Sequence, residues 1–236
     1  MRLAALLLAL SLQQPALTPE QRIDDVVSGV MSYHENELCI RYDAPPPHVR
    51  FVEGREPGFV AEYNVESQEI LLDQSYRGCD TTALARDVRT PVEGCAYELR
   101  EVLSHELGHY LTHLRVQRST DSWLKPYFRH DDVTDIGVLV VVEGIGEYFG
   151  KAFTHDAPQC GGWEIPRDES DLKSGDFRTW LSYLCGYTLA KPVLENNGSS
   201  GLDWLVEHAL TIERADITSI LRYQERALND GRRPGR

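Results

Sequence analysis

The chain has 236 residues, with 24 Lys+Arg against 37 Asp+Glu, 42% hydrophobic and 26% charged residues, and a formal net charge of −13. That length can bury a sizeable core, and the near-average composition excludes collagen-like, low-complexity and wholly disordered chains. The acidic balance argues against a nucleic-acid partner, because neutralising phosphates takes a surplus of Lys and Arg.

Residues 1–16 read as a secretory signal peptide. Met1-Arg2 gives a positive start, Leu3 to Leu12 is apolar except for Ser11, and a polar stretch ends at the small residue Ala16. An apolar run this short does not span a bilayer comfortably. The expectation is an exported protein, secreted or periplasmic, with no stable membrane span once the leader is cleaved. The rest is expected to form a single domain over 17–230, followed by a frayed tail at 231–236.

Thr18-Pro19-Glu20-Gln21 predicts a helix start, with Thr as cap, Pro at the first helical position and Gln three residues after the cap. Ile23, Val26, Val27, Val30 and Met31 continue it as an apolar stripe. Short strands are predicted at Cys39–Tyr42 and Val49–Val52, divided by Ala44-Pro45-Pro46-Pro47. A hairpin is predicted from Phe59–Tyr63 and Glu69–Leu72, turning near Glu66-Ser67-Gln68. Beyond residue 97 the pattern predicts helices over 97–115, 135–153, 176–195, 201–211 and 216–228, although Val138-Leu139-Val140-Val141-Val142 also suits a buried strand. The connections 116–134 and 154–175 have the length of lids or binding loops. Strands first and helices after point to an α+β fold.

Export makes the cysteines informative. Cys39, Cys79, Cys95, Cys160 and Cys185 are odd in number, which suggests two disulfides and one free thiol. Cys79 with Cys95 and Cys160 with Cys185 are the sequence-local pairings, but spacing does not determine connectivity.

His105-Glu106-Leu107-Gly108-His109 fits H-E-x-x-H. Leu103, Leu107, Tyr110 and Leu114 form one stripe of the predicted helix, while His105 and His109 lie within ~40° of each other on the opposite side, with Glu106 just beside them. Two imidazoles one turn apart can chelate a single ion. A catalytic zinc site needs a third protein ligand and an open position for water. The metzincin pattern would place Gly at 112 and His at 115, where Thr112 and Arg115 stand. His113 shares Glu106's face further along the helix, one turn past His109, and is read as supporting the site or solvated. The best third ligand is Glu143, a carboxylate closing the apolar run Val140-Val141-Val142, where burial asks for a cation. His130, Asp131 and Asp132 are rivals in the preceding connection. Gly108, Gly144 and Gly146 would let the two helices approach closely.

With Val142-Glu143-Gly144-Ile145-Gly146-Glu147-Tyr148, the chain resembles the gluzincin metallopeptidases, the clan of thermolysin and the membrane-alanyl-type aminopeptidases. In that clan a helix downstream of H-E-x-x-H donates a Glu, often within E-G-x-x-E-Y. The resemblance implies that His105, His109 and Glu143 hold Zn²⁺, that Glu106 is the general base, and that Glu147 orients a zinc-bound imidazole. Tyr183-Leu184-Cys185-Gly186 is similar, at its Tyr and Gly, to the Tyr-x-Lys-Gly segment of the aminopeptidases, which implies Tyr183 as the oxyanion stabiliser, with Tyr187 as alternative. Glu62-Tyr63-Asn64 and Glu69-Ile70-Leu71-Leu72 resemble the hairpin over the active helix of zincins, whose edge strand would pair with an extended peptide.

The expected fold is therefore zincin-like α+β: a small antiparallel or mixed sheet with its edge strand over the H-E-x-x-H helix, then a mostly helical half. The expected function is an exported zinc metallopeptidase acting on peptide or protein substrates. An endopeptidase is favoured, because the Gly-x-Met-Glu-Asn segment of the aminopeptidases is absent before residue 105. Two other classes share the motif: an inactive zinc-binding interaction protein, and a metal hydrolase of non-peptide amides or esters.

Overall fold

Thr18 closes a reciprocal capping box: its hydroxyl accepts from the Gln21 backbone N–H at 3.2 Å, and its own N–H donates to the Gln21 side chain at 2.9 Å. With Pro19 at the first position this starts helix α1, Pro19–Glu37. The structure, a computed structural model, describes residues 17–53, 58–118, 136–153 and 185–209. The expected signal peptide, the helix expected over 216–228 and the tail lie outside the described residues. Among those described, no helix is long and apolar enough to cross a membrane.

A three-stranded mixed sheet follows, with β1 His48–Val52, β2 Ala61–Asn64 and β3 Glu69–Asp73 in the order β1-β3-β2. β2 and β3 form the expected antiparallel hairpin, pairing Ala61 with Leu72 and Tyr63 with Ile70. β1 pairs with β3 in parallel, His48 opposite Glu69 and Val52 opposite Asp73. The expected strand Cys39–Tyr42 is absent. Cys39 and Asp43 take left-handed backbone angles (φ 56° and 50°), which break an extended run. Ile40 and Tyr42 are buried all the same.

Helix α2, Thr82–Arg86, leads to α3, Cys95–Arg118, which carries the H-E-x-x-H residues. Cys79 and Cys95 are disulfide-bonded, tying the first residue of α3 to the segment after β3. A closure of 16 residues is worth about 3 kcal/mol in the chain-entropy picture. Cys39 is an exposed free thiol. The expected Cys160–Cys185 pairing involves Cys160, outside the described residues.

The apolar run at 138–142 is helical: α4 spans Ile136–Gly150, with a 3₁₀ turn at Lys151–Phe153. Helix α5, Gly186–His208, is bent at Gly198, whose φ of 52° with ψ of −129° suits glycine alone. A Cβ there would also sit 2.7 Å from the Cys39 carbonyl oxygen. The expected break between helices at 195 and 201 thus becomes a kink that receives the Cys39 turn. The fold is α+β, with the small sheet at the N-terminal side and helices making up most of the rest.

α3 lies at the centre. Leu99, Leu103, Leu107 and Leu111 are fully buried in one apolar cluster with Val26 and Val30 of α1, Ile70 and Leu72 of β3, Val141, Ile145 and Phe149 of α4, and Leu194 and Leu202 of α5. Each such leucine contributes about 1.5–3 kcal/mol by leaving water. Being enclosed by α1, α4 and β2, α3 has little freedom to move its polar residues.

One buried polar chain crosses this core. Ser104 Oγ donates to the Phe149 carbonyl at 2.6 Å, so it must accept from His34 Nε2, 2.8 Å away. His34 Nδ1 then accepts from the Tyr42 hydroxyl at 2.6 Å, which fixes the neutral tautomer. Burial pushes the His34 pKa from its ordinary value near 6.5 down to about 3. The unfolded chain therefore takes up this proton first, and stability is lost as the pH falls from about 6.5 toward about 3. The loss expected from His34 is on the order of a few kcal/mol. An NMR titration should show His34 still neutral at pH 5, and a midpoint near 6.5 would contradict this account.

Candidate metal centre

H-E-x-x-H puts His105 and His109 one turn apart on α3, and the neighbouring helix α4 brings up Glu143. The Glu143 Oε2 atom lies 3.5 Å from His105 Nε2 and 3.6 Å from His109 Nε2. The two imidazoles meet edge to face, at 85° with centroids 4.6 Å apart. One donor atom from each of the three residues lies within 4.8 Å of the others.

These separations are too long for strong N–H···O bonds, whose usual length is about 2.9–3.0 Å. They match the edges of a coordination tetrahedron, since donors about 2.0–2.2 Å from one ion sit roughly 3.3–3.6 Å apart. The electrostatics agree. Burial alone would lower the pKa of His105, but the Glu143 and Glu147 carboxylates and the nearby Glu106 outweigh it and push the value up to about 10. A half-buried group with this surplus of negative charge calls for a cation. His105, His109 and Glu143 could hold a metal ion.

Glu147, one turn after Glu143, has Oε1 3.5 Å from His105 Nδ1, the ring nitrogen that does not face Glu143. It is placed to orient that ring. His109 Nδ1 is buried and has no hydrogen-bond partner among the described residues. Glu106 is held by the sheet: Oε2 accepts from the Tyr63 N–H of β2 at 2.7 Å, and the residue is only 6% exposed. Of the other candidates, His113 bonds the Tyr63 hydroxyl through Nδ1 at 2.8 Å and Gln117 through Nε2 at 2.9 Å. Burial holds its pKa below the ordinary histidine value. It supports the strand over the helix and is not part of the three-residue group.

Tyr183, His130, Asp131 and Asp132 lie outside the described residues. Tyr187, the alternative to Tyr183, is buried in α5 with the Lys191 ammonium 5.4 Å from its ring centroid.

The expected glycine contacts divide between two interfaces. A Cβ on Gly108 would come within 2.9 Å of Gly146 Cα, so this pair does set the approach of α3 to α4. Gly144 faces the other way, where a Cβ would run into the Gly186 backbone of α5. Gly146 also borders the site directly, since its Cβ would lie 2.7 Å from His105 Cε1 and 2.8 Å from Nε2. Gly146→Ala is thus expected to turn the His105 ring and weaken metal binding by about 10–100-fold, the range for disturbing a ligand's orientation. Alanine favours the helix, so the fold should persist. Competition against a chromophoric chelator checks this, and an unchanged affinity would show that Gly146 does not fix the ring.

His34 and Ser104, which bond each other beside His105, are not among the residues the motif points to. His34 could have been found, because it continues the α1 stripe three residues after Met31. The bond between the Tyr63 backbone and Glu106 has no sequence signal. Compared with protein families, curated proteins and solved structures, the chain shows no match.

Proposed function

We propose that this chain is an exported, zinc-dependent metallopeptidase of gluzincin type, more specifically an endopeptidase. The observation that carries the reading is the convergence of His105, His109 and Glu143 at separations that suit one tetrahedral ion, within a helix pair that also presents Glu106 and Glu147. Two imidazoles and a carboxylate with an open position suit Zn²⁺.

When bound, Zn²⁺ supplies an acidified water and polarisation of the scissile carbonyl. His105, His109 and Glu143 would hold the ion, and Glu147 would orient the His105 ring through Nδ1. Glu106 takes a proton from the attacking water and later delivers it to the leaving amine nitrogen. Tyr183 serves as the hydroxyl donor to the developing oxyanion, on the resemblance alone.

The sheet supports a peptide as substrate. Val60 accepts from the Asp73 N–H, so in this register Glu62 and Asn64 bond β3, while the main-chain groups of Ala61 and Tyr63 face off the sheet. β2 is the edge strand beside α3, and such an edge pairs with extended peptides. Digestion of a peptide library with and without chelator tests the proposal. Internal cleavage that chelator abolishes and zinc restores is expected. Zinc binding without cleavage would identify a non-catalytic protein, and cleavage of small esters or amides alone would identify a different hydrolase.

A further inference from the structure

We propose that Tyr63 is the positioning residue for Glu106, fastening the base to the edge strand through its main-chain N–H. The inference rests on Glu106 being the base, as proposed above.

A carboxylate that is only 6% exposed needs a hydrogen-bond donor in place of the water it has lost. Glu106 Oε2 has one in the Tyr63 N–H, at 2.7 Å, the length of a charge-assisted bond. The donor is unusually well fixed. It belongs to the main chain and has no rotamers, and the residues on either side of it, Glu62 and Asn64, are paired to β3. The hydroxyl of the same residue bonds His113 Nδ1 at 2.8 Å. His113 is seven residues beyond Glu106, about two turns along the same face, roughly 10 Å further on. One residue of β2 therefore grips α3 at two points, and the first of them is the base. Among the described residues no other bond restrains the carboxylate, so Oε1 is left to take the proton of a water.

The arrangement also sets which part of the edge a substrate can use. The Tyr63 N–H is already engaged, so an extended peptide would pair through Ala61 and the Tyr63 carbonyl. Peptide and base are thereby referenced to the same short strand, and the preorganisation that catalysis requires is supplied by the sheet.

Amide hydrogen exchange tests the bond independently of any activity. In Glu106→Ala the Tyr63 amide should exchange at least tenfold faster than in the natural chain, with Glu62 and Asn64 unchanged. Glu106→Gln, which keeps an acceptor, should restore most of the protection. Equal Tyr63 exchange in the natural chain and Glu106→Ala would overturn the proposal.

The consequence for turnover is read from Tyr63→Pro against Tyr63→Ala. Both lose the ring and hydroxyl, but only proline loses the N–H. The Tyr63 N–H faces off the sheet, so proline leaves the β2–β3 ladder intact. At equal zinc content, Tyr63→Pro should have a kcat at least tenfold below Tyr63→Ala with a similar KM, and equal kcat values would overturn the positioning role. If Tyr63→Pro does not fold, the exchange comparison decides. A natural chain with no peptidase activity would remove the functional reading, while the exchange data would still report whether the bond exists.

Discussion

Glu106→Gln should abolish measurable hydrolysis while leaving bound zinc near one per chain. Removing a general base costs about 10²–10⁴-fold. Glutamine has the same shape, keeps an oxygen for the Tyr63 N–H and removes only the capacity to take a proton. The group that could hold the metal, His105, His109 and Glu143, is untouched. Parallel measurement of zinc by elemental analysis and of cleavage separates the two roles. A variant that turns over at the natural rate would remove Glu106 from the chemistry.

Glu143→Ala should have the opposite signature, losing the metal first and activity as a result. Its carboxylate is the donor that approaches both imidazoles, at 3.5 and 3.6 Å, and it supplies the negative charge that a dication needs. Zinc at 100 times its dissociation constant raises the stability of a binding protein by about 2.7 kcal/mol. In the natural chain zinc should therefore raise the unfolding temperature, and most of that gain should vanish in the variant, as should the stoichiometry after dialysis. If zinc content stayed near one per chain, the third ligand would be another residue, with His130, Asp131 and Asp132 the first to examine.

What could be read in advance follows from the range of the interactions. Helix periodicity is local, so the α3 stripe, the capping box at Thr18 and the turn between β2 and β3 were all legible. The pairing of His105 and His109 on one face needed only the helical repeat. Glu143 was legible because a carboxylate at the end of Val140-Val141-Val142 is costly without a cation. The strand expected at Cys39–Tyr42 failed because alternation of apolar residues does not reveal a left-handed turn at Cys39 and Asp43. The parallel match of β1 with β3 depends on a partner about twenty positions away, which no local pattern specifies. Gly144 looked equivalent to Gly146, yet they face α5 and α3 respectively, a difference set by how three helices stack.

The buried bonds of His34 have a consequence for truncation. The last turn of α1 carries His34, which reaches through the core to Ser104, beside His105, and Ser104 in turn bonds the last turn of α4. Such a helix is a keystone of the core, not an appendage to it. Removing the chain as far as Glu37 would strip Val26, Val27 and Val30 from the core and leave Ser104, one position before His105, without its His34 partner.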